Sequence, residues 1–230
     1  EPQLATAWRE VSPTQVRFTL RSGVKFSDGS PLTADDVVFS LMRATAKTSN
    51  YAVYTQGIDR VVKVNDSTVD VMMKGSNPVL LNQMTELRIM SKAWAEKNKS
   101  TEPKDIRAKD ETFAHRNAMG TGPYTVKEWQ PDQKLVLVAN PNYWGKNESN
   151  VTEIVYTPIK SEATRVAALL SGELDFILDP STQDLGRLRS TANLKVIDGV
   201  ENRTIFFGMD QFRDELPGSN VKGKNPLKDL

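Results

Sequence analysis

The sequence has no cysteine and only one histidine, His115. The first absence excludes disulfides, thiolate metal sites and cysteine nucleophiles. The second leaves no partner for a histidine metal pair and a single imidazole for any serine-type triad, and it lies in a polar stretch beside Arg116 that reads as solvated surface. An excess of one charge is also missing: 30 basic side chains stand against 29 acidic, a net charge of +1. There is therefore no strong field to recruit nucleic acid or an anionic membrane surface. No apolar run approaches the ~20 residues that span a bilayer, and the opening EPQLATAWRE lacks the charged and apolar regions of a signal peptide.

Phosphate loops are missing too. The stretch MGTGPYTVKEW, residues 119–129, has a Gly-x-Gly pair at Gly120 and Gly122. It runs into Pro123 and an alternating strand, so no helix N-terminus follows to hold an anion. Two glycines and a proline there mark a place where the chain changes direction with defined geometry. Carboxylate pairs for acid–base work are weakly represented. Asp35 and Asp36 fit the first turn of a helix, and Glu173 and Asp175 lie two apart in an expected strand. Suitable clusters of hard carboxylates are absent, so no metal site is expected, and no cofactor.

A chain of 230 residues is long enough for one large domain or two small ones. WREVSPTQVRFTL reads as a half-buried hairpin about Ser12-Pro13, with Val16, Phe18 and Leu20 alternating against Gln15, Arg17 and Thr19. Asp28-Gly29 is a turn signal, and Thr33 with Asp36 forms a T-x-x-D cap for a helix over 34–46 burying Val37, Val38, Leu41 and Met42. NYAVYTQG has no clear period and reads as a loop, in which Tyr51 and Tyr54 are placed to line a ligand cleft or to pack in a core. A second hairpin follows about Asn65-Asp66-Ser67, then short helices after Pro78 and in SKAWAEKNKS, then a polar irregular stretch. YTVKEWQPDQKLVLVAN is a third hairpin and VTEIVYTPI a further strand. Ser161 caps a helix stopped by Gly172, and a strand is expected directly after it, giving a strand-helix-strand crossover. A short helix in STQDLGRLRS and strands near LKVID and RTIFFGM complete the pattern, with a loop-like end. The order of elements shifts near Met119, which places a boundary between 1–118 and 119–230.

Several blocks together resemble the extracellular solute-binding proteins of family 5, the oligopeptide, dipeptide and nickel class. They are LATAWREVSP with FTLRSGVKFSDGSPLTADDVVFSL, GTGPYTVKEW, LVANPNYWG, ATRVAALLSGELDF and NPLKDL, in the family's order and spacing. The resemblance implies a mixed α/β, class II clamshell, present in part. Residues 1–118 would form a smaller hairpin-and-helix domain and 119–230 part of the main mixed-sheet lobe, with the second lobe and most ligand contacts outside this chain. It implies a non-enzymatic protein that captures oligopeptides, dipeptides or a related solute for the permease of an ATP-driven (ABC) importer, in the periplasm or lipid-anchored outside a Gram-positive cell, its signal peptide removed. Nickel complexes, opines, sugars and haem are the alternative cargoes, and a receptor or assembly role the alternative use. Gly120, Gly122 and Pro123 would be hinge residues where the chain re-enters the main lobe. Tyr51, Tyr54, Arg88, Thr121 and Arg203 would face the cleft, the alternative for each arginine being an ordinary ion pair. Ala139 stands where the family often has an arginine before NP-x-YW.

Overall fold

Two hairpins build the first sheet, because the apolar residues that alternate along its two central strands find a common inner side. They are β1 (Ala5–Ser12) with β2 (Gln15–Leu20), and β3 (Ile58–Asn65) with β4 (Thr68–Met73), joined antiparallel in the order β1-β2-β4-β3. Val16, Phe18 and Leu20 of β2, Val69, Val71 and Met73 of β4, and Ile58 and Val61 of β3 are buried in one cluster with Val37 and Leu41. The last two belong to α1 (Ala34–Ala44), which lies against this sheet, with Val38 and Met42 half-buried at its margin. The first turn is Pro13–Thr14, and the second is closed by the Ser67 amide donating to Asn65 Oδ1 at 3.0 Å, the local bond that makes asparagine a turn residue.

The computed structural model describes residues 3–105, 107, 111–200 and 204–228. The chain divides into two compact units, Glu1–Pro158 and Ile159–Leu230. The first also holds four short helices, α2 (Ala52–Thr55), α3 (Leu80–Met84), α4 (Lys92–Lys97) and α5 (Phe113–Arg116), and a second antiparallel sheet of β5 (Tyr124–Gln130), β6 (Lys134–Ala139) and β7 (Glu153–Tyr156) in that order. Its tight turn sets Asp132 at φ 58°, a left-handed angle that aspartate tolerates. The element order shift expected at Met119 falls inside this first unit.

Two buried polar side chains of α1 anchor the helices. Asp36 Oδ2 accepts from the Thr33 amide and hydroxyl, both at 2.8 Å, and its Oδ1 accepts from the Lys92 amide at 2.8 Å. One carboxylate thus caps α1, as the T-x-x-D pattern predicts, and the first turn of α4 as well. Ser40 Oγ donates to the Met90 carbonyl at 3.1 Å and accepts from the Met90 amide at 2.9 Å.

The second unit contains α6 (Glu162–Ser171), a 3-10 turn at Thr182–Asp184 and α7 (Leu185–Ser190). Ser161 Oγ accepts from the Thr164 amide at 3.3 Å, and Gly172 ends α6 at φ 79°, where only glycine is unstrained. The expected strands after Gly172, near LKVID and in TIFFGM do not form; among the described residues no strand follows β7, and the crossover is lost with them. The reason is the missing ladder. Phe176, Leu178, Ile197 and the run Ile205–Phe207 are exposed, and among the described residues no strand pairs with their backbone groups.

Candidate functional site

The motif Met119–Pro123 leads into β5 and lies between the SDGS turn that follows β2 and the NPNYW corner that follows β6. The SDGS turn follows from its sequence. Asp28 Oδ1 accepts from the Ser30 hydroxyl at 2.6 Å and the Ser30 amide at 2.9 Å, and those bonds hold its carboxyl below the ordinary carboxylate range. Gly29 supplies φ 87°. From this turn the Ser27 amide donates to the Gly120 carbonyl at 2.9 Å, and Ser27 Oγ lies 3.2 Å from the Met119 sulfur.

The NPNYW corner grips from the other side. Asn140, only 6% exposed, donates its side-chain amide to the Gly122 carbonyl at 2.7 Å and its backbone amide to the Pro123 carbonyl at 2.8 Å. Its Oδ1 accepts from the Asn142 amide at 3.0 Å, and Asn142 Nδ2 reaches the Ser27 carbonyl at 3.1 Å. The corner also carries the Tyr143–Trp144 ring pair, centroids 5.2 Å apart, and the Arg21 guanidinium sits 4.3 Å over Trp144. A Cβ on Gly145 would lie 2.8 Å from the Tyr143 ring, so any larger residue there displaces that ring. Gly120 and Gly122 are different: neither has a positive φ, and a Cβ on either meets nothing within 4 Å. What the junction uses of them is their carbonyls.

A second polar cluster lies on the side of the first sheet away from α1. Asp70 accepts from Arg17 Nε at 2.7 Å, Arg17 Nη2 at 2.8 Å and Gln15 Nε2 at 2.8 Å. Arg17 therefore holds the Asp70 carboxyl below its usual range against the opposing effect of burial, and Asp70 raises Arg17 in return. Arg9 and Arg17 border a shallow depression with Trp8, Thr19, Asn65 and Thr68.

The residues singled out from the sequence are dispersed. Tyr51 and Tyr54 lie on and beside the one-turn α2, not in a loop, with ring centroids 6.4 Å apart and Tyr51 exposed. The helix wins over the aperiodic reading because buried Thr55 ties it to α1 by donating to the Ala44 carbonyl at 3.0 Å. Arg88 is exposed and donates to its neighbour Thr85 carbonyl at 2.5 Å. Thr121 is buried inside the junction. Arg203 lies outside the described residues. Among the described residues no hydrogen bond, ion pair or ring contact joins Tyr51 or Tyr54 to Arg88 or Thr121. His115 is half-buried in α5, its Nδ1 accepting from the Thr112 amide at 2.8 Å, so it serves as a helix cap where the sequence suggested solvated surface. Ser27, Asn140 and Asn142 were not singled out; the available signal was an asparagine before proline at a strand end, a pairing that favours local side-chain-to-backbone bonds.

A sequence model described as "Bacterial extracellular solute-binding proteins, family 5 Middle" matches residues 1–230. The chain belongs to family 5. Among family 5 relatives, heme-binding protein A of Haemophilus influenzae is 28% identical over 99% of this chain and 44% of its own length. The periplasmic oligopeptide-binding protein OppA of Escherichia coli is 30% identical over 76% of this chain and 34% of its own. The solved structure of MoaA from A. tumefaciens R10 in complex with mannopinic acid is 31% identical, with a TM-score of 0.70 over 82% of this chain and 37% of that one. The mixed α/β fold is thus that of part of a periplasmic-binding-protein-like structure, and the chain spans less than half the length of these relatives.

Proposed function

We propose that this chain is part of a substrate-binding protein that captures a short peptide or related small solute and delivers it to the permease of an ABC importer. The observation that carries the reading is the family 5 match across residues 1–230, supported by 30% identity to OppA. On this reading the protein works by recognition and lobe closure without bond chemistry, and it resides in the periplasm or anchored outside the cell. Residues 1–118 are its smaller domain and 119–230 part of its main lobe. Tyr51, Tyr54, Arg88 and Arg203 are its ligand-facing residues, whereas Thr121 is enclosed in the junction.

A second cargo class has its own support, since the relative matched over 99% of this chain is a heme-binding protein and the 31% identical structure holds mannopinic acid. Calorimetric titration of a family-length protein carrying this sequence, with di- to pentapeptides, haem and mannopinic acid in separate runs, decides between them. Peptide binding at micromolar or tighter affinity supports the first reading. Silence with peptides and binding of haem or the opine replaces it with the second, and silence with all refutes both.

A further inference from the structure

We infer that Met119–Pro123 is a fixed brace between the two sheets of the first unit rather than a hinge, with Ser27, Asn140 and Asn142 as its positioning residues. The family resemblance casts Gly120, Gly122 and Pro123 as hinge residues where the chain re-enters the main lobe. The structure uses them otherwise. Three carbonyls in four residues are held: Gly120 by the Ser27 amide, Gly122 by the Asn140 side chain, and Pro123 by the Asn140 backbone. Asn142 closes the ring by bonding Ser27 from the far side, so the strap is gripped between two corners that also grip each other.

A hinge needs residues that change φ and ψ at little cost. Turning any of these three residues breaks at least one bond in a site where Asn140 and Thr121 are buried, and a buried carbonyl or amide left without its partner is costly. The glycines offer no hidden freedom in use, since neither occupies the left-handed region. Outside the ring, the Arg21–Trp144 stack ties the end of β2 to the same corner at 4.3 Å. The two sheets therefore move as one body, and a closing motion of the longer protein bends elsewhere in the chain. That last placement rests on the ligand-capture reading, whereas the bracing itself stands without it.

This chain has no cysteine, and any cysteine elsewhere in the family-length protein is first replaced by serine. Spin labels on Thr19→Cys, in β2, and Gln133→Cys, in the β5–β6 turn, report the distance between the sheets in the family-length protein. A single narrow distance, unchanged by any ligand that binds in calorimetry, is expected; a broad distribution, or a shift on binding, overturns the inference. If no ligand binds, the capture reading fails while the width of the unliganded distribution still decides the brace. Independently, Asn140→Asp replaces the side-chain donor by a carboxylate facing the Gly122 carbonyl. The expected result is a melting temperature lowered by roughly 5 °C at neutral pH, recovering on acidification as the introduced carboxyl gains a proton and donates again. Asn140→Ala loses stability with no such recovery. Equal pH profiles for the two variants, or no loss in either, refute the positioning role. Amide exchange of the unmutated chain gives a check free of folding defects: Ser27 and Asn140 amides should be protected within about tenfold of Val71 in β4, and exchange at the open-loop rate overturns the proposal.

Discussion

Removing Asp70 should cost the first unit about 2–3 kcal/mol, and the structure says where the loss comes from. The carboxylate is 6% exposed and accepts three bonds, two of them from the Arg17 guanidinium. Bonds to charged groups contribute roughly 1.5–3 kcal/mol net, and separating a fully buried pair costs about 3–5 kcal/mol. Arg17 retains 30% side-chain exposure, so water takes over part of its solvation in the variant and the loss belongs near the lower range. Urea unfolding of Asp70→Ala followed by Trp fluorescence should show a lowered midpoint at unchanged slope, with a melting temperature lower by roughly 4–10 °C. A double-mutant cycle with Arg17→Ala should return a coupling of about 1–2 kcal/mol. The pH dependence has a definite sign. Arg17 depresses the folded-state pKa of Asp70, so the stabilisation is complete above the unfolded value of about 3.9 and fades as pH falls through the lower folded value. Parent and Asp70→Asn should therefore differ by a constant amount from pH 7 to about pH 5 and converge below about pH 4. A coupling below about 0.5 kcal/mol, or no convergence in acid, would refute the account.

Phe26 is fully buried, and Phe26→Ala should cost about 3–5 kcal/mol in the same urea assay. Asp36→Ala removes the acceptor shared by α1 and α4 and should cost about 2–3 kcal/mol, with faster amide exchange at Lys92 than at residues of β4. Gly172→Ala places a methyl group at φ 79° and should cost about 1–2 kcal/mol, measured as a lower melting temperature; a neutral result would mean that α6 ends without the left-handed cap.

Much of the first unit was legible because its signals are local. Three hairpins were readable from alternation and turn residues and α1 from its Thr33–Asp36 cap, as was α6, in the second unit, from Ser161 and Gly172. Tyr51 and Tyr54 were misplaced into a loop because four residues carry too little periodicity to declare a helix, and the bond that holds α2 comes from Ala44, outside the stretch. The strands expected at LKVID and TIFFGM failed for the opposite reason. β-propensity was present, but a strand is a property of two backbones, and among the described residues no partner strand pairs with them.

The candidate site divides along the same line. Local residue patterns suffice to show that MGTGPYTV marks a change of direction, that Asp28-Gly29 turns, and that family 5 blocks run through the chain, because each depends on residues within a few positions of one another. Long-range packing is what brings Ser27 and Asn140 to the carbonyls of Gly120, Gly122 and Pro123 and braces them. Those partners are up to 115 positions apart in the ring that Asn142 and Ser27 close, and local propensity carries no information about which distant amide arrives at a given carbonyl.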